Sequence, residues 1–242
     1  MAFLNKIQQA KQNGKKLLGV LIDPDKFDNN IQSPLFLEIK KTPPDFLLVG
    51  GSLLSDYLDD TVLFLKQHFQ MPVFLFPGNV IQISPAADGI LFMSLISGRN
   101  ADFLIGQQVV AAPLLEKTNL EIIPTGYVLL ENGKTTSVEY MSNTKPIPQD
   151  KQDIILATAL AGQYLGQQLI YLETGSGANH PVSRETIRLL STKLKIPIIA
   201  GGGIRNPDDL KLLFSAGADI AVVGTVLEKK PEKLSELIKV CS

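Results

Sequence analysis

Short apolar runs alternate with amphipathic stretches along almost the whole chain. Runs of Val, Ile, Leu and Phe without polar alternation mark parallel strands buried on both faces. Eight are present, at 17–23, 46–49, 73–76, 89–92, 121–124, 168–173, 197–200 and 219–223. Between them Leu54, Leu58, Val62 and Leu65 recur one helical turn apart, and 150–165, 183–194, 207–216 and 227–240 also read as helices. Asn206-Pro207 supplies an N-cap followed by proline at the first helical position. A helix over 3–13 would put Phe3, Leu4 and Ile7 on one side, suited to closing the bottom of a barrel. Eight strands interleaved with helices predict an α/β fold, a (β/α)8 TIM barrel, in which 1–242 form one domain. No internal repeat or low-complexity linker divides it.

Two connections break the pattern. Between the third and fourth strands lie only residues 77–88, punctuated by Pro77, Gly78 and Pro85. Parallel neighbours ordinarily need a crossover of about a dozen residues, usually helical. The barrel is therefore expected to be modified, its third helix reduced to a loop or a short strand over 80–83. The flank there is either an apolar groove or a short loop covered by neighbouring helices. After the fifth strand, 127–130 and 136–140 flank Glu131-Asn132-Gly133-Lys134 and predict a hairpin with an Asn-Gly turn. So long an insertion on the C-terminal side of a barrel reads as a lid or an oligomer contact.

Composition narrows the function classes. The 242 residues are 45% hydrophobic and 19% charged, which suits one large α/β domain with a sizeable core. A net charge of −1 leaves no electrostatic footprint for nucleic acid. Cys241 is the lone cysteine, and with His68 and His180 as the two histidines neither a disulfide nor a zinc site can be assembled. No basic, apolar leader opens the chain, and no run approaches the ~18 apolar residues of a membrane span. A soluble, cytoplasmic protein is expected.

Candidate chemistry collects at strand ends, where barrel enzymes work. The seventh strand ends in Gly201-Gly202-Gly203 before a helix start, and the eighth in Gly224-Thr225. Glycine N–H groups and helix N-termini in these two places commonly hold a phosphate. The first strand ends in Asp23-Pro24-Asp25-Lys26, able to hold Mg²⁺ and a phosphate oxygen or to form a capped turn. Ser52, after Gly50-Gly51, reads as a metal or phosphate ligand or as a helix cap. The sixth strand runs Tyr171-Leu172-Glu173-Thr174-Gly175-Ser176-Gly177-Ala178. Alternation points Tyr171 and Glu173 into the barrel mouth, where a carboxylate can accept a hydroxyl proton. Arg99, after the fourth strand, reads equally as a contact to an anionic leaving group, to a second subunit, or to solvent. His180 reads as an exposed loop residue. There is no P-loop, Gly-x-Ser-x-Gly or Rossmann fingerprint.

Taken in order, Ile22-Asp-Pro-Asp-Lys26, Val49-Gly-Gly-Ser52, Tyr171 to Ala178, Ala200-Gly-Gly-Gly-Ile204 and Val223-Gly-Thr225 resemble the geranylgeranylglyceryl phosphate synthase family. The segment 136–148 resembles the branch whose archaeal and bacterial members form larger oligomers. The resemblance implies a prenyltransferase that moves a geranylgeranyl group from its diphosphate to the 3-hydroxyl of sn-glycerol 1-phosphate, making an ether lipid precursor. It implies Mg²⁺ as cofactor, held by Asp23 and Ser52. It assigns Tyr171 and Glu173 to catalysis, and glycerol phosphate to Tyr171, Glu173, Thr174, Gly175, Ser176, Gly177, Gly202, Gly203, Gly224 and Thr225. Lys26 and Arg99 become candidates for the diphosphate. The family also lacks a normal third helix, and its prenyl chain lies in the groove this leaves. A homo-oligomer (a dimer or a hexamer of dimeric units) and peripheral membrane contact during product release are expected.

Departures bear on the diphosphate end. Leu21 stands where some relatives carry a basic residue, Gly224-Thr225 where others have Gly-Asn, and 95–100 differs from the expected Asn-Ser-Arg-Asn. Heptaprenyl is an alternative to the C20 donor. The competing readings are another phosphate-binding TIM-barrel enzyme, an isomerase or thiamin phosphate synthase-like, and a non-catalytic prenyl-lipid carrier.

Overall fold

The eight apolar runs close into a parallel barrel in strict sequence order, the last strand pairing with the first. The computed structural model describes residues 2–55 and 57–241. Helix α1 (Phe3–Gln12) precedes β1 (Leu17–Ile22), which leads through α2 (Pro34–Lys41) to β2 (Phe46–Val49) and through α3 (Leu58–His68) to β3 (Val73–Leu75). β4 (Gly89–Leu95) is followed by a wide turn of π-helix, Asp102–Gly106, that runs into α4 (Gln107–Leu115). β5 (Glu121–Leu129), α5 (Ser137–Ser142), α6 (Gln152–Tyr164) and β6 (Leu169–Glu173) come next. The barrel is completed by α7 (Arg184–Lys193), β7 (Ile198–Gly201), α8 (Pro207–Ala216) and β8 (Ile220–Val223), and the chain continues through α9 (Thr225–Lys229) and α10 (Leu234–Ile238).

Strand alternation divides the core in two. Along β6, Leu169 and Tyr171 face the barrel interior, while Ile170 and Leu172 face the helices. The interior is filled by Leu48, Phe74, Ile123, Tyr127, Tyr171 and Ile199, among others. Helix α1 closes its lower end as the periodicity requires. Phe3 packs on Phe46 and Phe74 with ring centroids 5.1 and 4.7 Å apart. Ala2 supplies no side-chain cap to this helix. Instead Glu121, at the start of β5, accepts the N–H groups of Phe3 and Leu4 at 2.6 and 2.9 Å, putting a negative charge at the positive end of the helix.

The third crossover is bare. Among the described residues, no helix or strand lies between β3 and β4; Val80 and Ile83 pack against the core from a chain of turns. Elsewhere the sequence reading needs correction. The hairpin expected over 127–140 does not form. Residues 127–129 prolong β5 in parallel with β6, because Tyr127 and Leu129 alternate into the barrel interior. Thr136 then caps α5, its hydroxyl accepting the Glu139 N–H at 3.1 Å, a capping signal of the S/T-x-x-E kind. The helix expected over 227–240 is broken into α9, a short 3₁₀ turn and α10, since Lys230 precedes Pro231 and cannot stay helical. Helices α2 and α4 were not expected. Ser33-Pro34 carries a cap signal for α2, whose hydroxyl accepts the Phe36 N–H. No helix is long and apolar enough to cross a membrane among the described residues.

Glu121→Ala should leave the first turn of α1 without its acceptor and cost about 0.5–2 kcal/mol. Urea unfolding measures this; an unchanged midpoint would mean that the Phe3 rings alone hold the helix.

Candidate active site

The strand ends predicted to matter converge on one cavity of about 720 Å³ at the C-terminal mouth of the barrel. Asp23 and Lys26 line one wall with Ser52. Tyr171, Glu173 and Gly175 to Gly177 form another, and Gly202, Gly203, Gly224 and Thr225 a third.

Glu173 is the most perturbed acid of the site. It is 7% exposed at the end of β6. Burial raises its pKa to about 7, although hydrogen bonds from the backbone N–H groups of Gly175 and Thr174 and from Tyr171 favour the charged form. The Gly175 N–H reaches Oε1 at 2.6 Å. Below the carboxylate lies an aromatic floor: Tyr171 stacks on Tyr127 at 5.5 Å and packs at a tilt against Phe76 at 5.1 Å. The Tyr171 hydroxyl is buried beside Glu173, whose charged form it favours, and makes no other hydrogen bond. Burial, with the Glu173 charge, raises the pKa of both tyrosines, so both remain neutral phenols.

Beside the carboxylate, β7 and then β8 end in backbone rather than side chains. Gly202 and Gly203 have φ of +79° and +69°, a region that side chains disfavour. A Cβ on Gly202 would run into Glu173, and one on Gly203 into the His180 carbonyl. The turn thus stays close to Glu173 with N–H groups uncovered by side chains. Ser176 and Thr225 tie the β6 and β8 turns together through their hydroxyls, 2.8 Å apart. Of the two late helices, α8 is closed at its start: Asn206 accepts the N–H groups of Asp208 and Asp209, and Asp209 accepts those of Arg205 and Asn206. By contrast α9 begins at Gly224 with no side-chain cap, so it, rather than α8, presents the positive helix end at the mouth.

At the β1 end, Lys26 bridges Asp23 at 2.5 Å and Glu228 at 3.5 Å. Partial burial opposes its charge, but hydrogen bonding to Asp23 and the charge of Glu228 outweigh this and raise its pKa. The second carboxylate of the motif, Asp25, is committed elsewhere: it accepts the Ser55 N–H at 3.0 Å and anchors the loop after β2. No group of three or more His, Cys, Asp or Glu able to hold a metal exists among the described residues. One carboxylate, Asp23, with the Ser52 hydroxyl on the same cavity suits Mg²⁺ that takes its remaining ligands from substrate phosphates and water, and does not suit an all-protein metal cage.

A second, apolar cavity opens beside the first, at the start of the bare crossover. Gly51, Ser52, Phe76, Tyr127 and Val138 border both, and Pro77, Gly78, Met93, Leu95 and Phe103 continue the second. Two predicted residues lie off the site. Arg99 turns back on its own loop, donating to the carbonyls of Gly98 and Ile96 at 2.7 and 3.3 Å. Thr174 is fully buried behind the β6 turn and touches the Gly201 carbonyl. The sequence reading missed Phe76 and Tyr127 in the floor, and Arg205, Lys229, Lys230 and Lys233 around the rim. The Lys229-Lys230 pair close behind Gly224-Thr225 was the available signal for the rim.

Residues 12–241 match the model of the PcrB family. A geranylgeranylglyceryl phosphate synthase of Spirosoma linguale is 48% identical over 235 residues, covering 97% of this chain and 94% of the relative. One from Flavobacterium johnsoniae is 50% identical over 223 residues, 92% of each chain. Among solved structures, (S)-3-O-geranylgeranylglyceryl phosphate synthase from Thermoplasma acidophilum, in complex with its substrate sn-glycerol-1-phosphate, superposes with a TM-score of 0.93. That protein is 34% identical, and the match covers 100% of this chain and 98% of it. A glycine-walled polar mouth joined to an apolar flank, on a barrel lacking one helix, is thus accompanied by similarity over nearly the full length, and the chain belongs to the PcrB family.

Proposed function

We propose that this chain is a prenyltransferase that moves a geranylgeranyl group from its diphosphate to the 3-hydroxyl of sn-glycerol 1-phosphate, forming an ether lipid precursor. The observation that carries this reading is the position of Glu173, a buried carboxylate with a pKa near 7 beside the glycine turns, in a polar cavity that adjoins an apolar one. The relatives' names and the bound sn-glycerol-1-phosphate of the Thermoplasma acidophilum enzyme support the acceptor. The apolar cavity supports a prenyl donor, which a phosphate-sugar isomerase would not need.

In this reading the backbone of Gly202, Gly203, Gly224 and Thr225, with Ser176, holds the acceptor phosphate. Tyr171 donates to the acceptor hydroxyl, and Glu173 receives its proton as the oxygen attacks the allylic carbon. The new C–O bond forms as the old one breaks, and the diphosphate leaves with the electron pair. Asp23 and Ser52 would hold Mg²⁺, which supplies charge neutralisation for the leaving group. Lys26, Lys229 and Lys230 add positive charge to that side of the mouth. The aromatic floor keeps water from the reacting carbon.

Self-association is part of the proposal. From Phe103 to Leu115 the chain carries no charge, and Ile105, Val109, Val110 and Leu114 are half or more exposed. Such a face suits a second copy of this chain; light scattering should give a mass above one chain, and a monomer would overturn this.

Labelled sn-glycerol 1-phosphate, geranylgeranyl diphosphate and Mg²⁺ should yield label extractable into organic solvent, and Asp23→Ala should lose the Mg²⁺ response. No extractable label with any prenyl diphosphate would overturn the transferase reading. Because burial raises the Glu173 pKa, the protonated form dominates below about pH 7 and the carboxylate above it. The acid limb of kcat/KM should therefore rise through about pH 7. Glu173→Gln should lower turnover roughly 10²–10⁴-fold and abolish that limb; near-normal turnover would rule out this base.

A further inference from the structure

The bare crossover carries two buried polar side chains, Gln82 and Ser84; Ser84 accepts the Ala86 N–H within its own turn at 3.4 Å, whereas Gln82 reaches beyond the crossover. Gln82 is 3% exposed. A turn delivers it: the Gln82 N–H reaches the Asn79 carbonyl at 3.3 Å, and the Asn79 side chain accepts the Ile81 N–H at 3.0 Å. Val80 and Ile83 pack onto the core on either side, while Ile81 is exposed. The amide then joins two loops. Its Oε1 accepts the N–H of Gly78 at 2.9 Å and, more weakly, that of Gly51 at 3.5 Å. Its Nε2 donates to the Gly51 carbonyl at 2.9 Å. Reversing the amide would set donors against donors, so a single orientation fits.

The two loops also meet backbone to backbone. A Cβ on Gly78 would collide with the Gly51 carbonyl and stand 2.9 Å from the Ser52 α-carbon. On the other side of the same loop, a Cβ on Gly51 would lie 3.6 Å from Asp23 Oδ1. Gly51-Ser52 is thus held between the Asp23 carboxylate and the crossover, with Gln82 as its fastening. Gly51 and Ser52 border both cavities, and Gly78 lines the apolar one.

We propose that Gln82 is a positioning residue for the prenyl donor, fixing Gly51-Ser52 against Gly78 so that the diphosphate end and the tail groove keep one register. This rests on the prenyl-transfer reading above. The acceptor cradle at the ends of β6, β7 and β8 makes no hydrogen bond with Gln82, so the effect should fall on the donor alone.

Calorimetry on the full chain separates the two. Wild type, Gln82→Met and Gln82→Glu are titrated with an unreactive geranylgeranyl thiolodiphosphate in Mg²⁺, and separately with sn-glycerol 1-phosphate. Loss of a side chain that orients ligands from behind typically costs about 10–100-fold. Gln82→Met should weaken the donor analogue by about that factor, raise the donor KM in step, and leave glycerol phosphate binding within about twofold. Gln82→Glu keeps the acceptor for the two N–H groups and loses the donor to Gly51. It should also weaken the analogue selectively, and it decides the matter if the methionine variant fails to fold. Unchanged analogue binding, or equal weakening of both ligands, would overturn the assignment. A wild-type chain that binds glycerol phosphate but no prenyl thiolodiphosphate would overturn the transfer reading and this inference with it.

Discussion

Burial raises the pKa of an acid by penalising its charged form, and in this barrel three rings help to bury Glu173. Phe76 at the end of β3, Tyr127 in β5 and Tyr171 in β6 pack against one another across the barrel, and Glu173 is next along the inward face of β6. The rings top the interior column that begins with Phe3 at the other end. The column therefore has two roles, filling the barrel and drying its mouth. Burial raises the carboxylate pKa, three hydrogen-bonding groups oppose that, and the balance rests near the pH at which a base is most useful.

The same mouth shows how a glycine-only backbone and a buried charge fit one another. The β7 turn has its positive φ values beside Glu173, where side chains would collide with the carboxylate. The Gly175 N–H donated to Oε1 fixes the β6 turn in return. At the far wall, Lys26 is shared between Asp23 and Glu228, so one positive charge faces two carboxylates.

Most of the barrel was legible because its strands are buried on both faces and stand out as uninterrupted apolar runs. Pro77, Gly78 and Pro85 announced the bare crossover for an equally local reason, the cost of continuing a helix through them. Failures came where local signals had two readings. Tyr127 to Leu130 fits a hairpin arm by alternation, but the same alternation fits a prolonged barrel strand, and only the partner strand decides. Asn206-Pro207 signals a helix start correctly, yet sequence cannot say that Asn206 and Asp209 consume its N–H groups and leave the open helix end to Gly224. Arg99 stands near the right end of the right strand, and its own loop carbonyls capture it. Gln82 gave no signal, because a lone glutamine in a loop says nothing until its partners are known.

The bare crossover also bears on how the molecule is held together. In the other connections a helix covers the outer face of the barrel, and between β3 and β4 only turns do. An apolar tail seated there would supply burial that the chain does not supply for itself, and so would act as a removable part of the hydrophobic core. A ligand that binds only the folded state stabilises it with the logarithm of its concentration above Kd. Under the proposed function, resistance to unfolding would then follow the concentration of the prenyl donor.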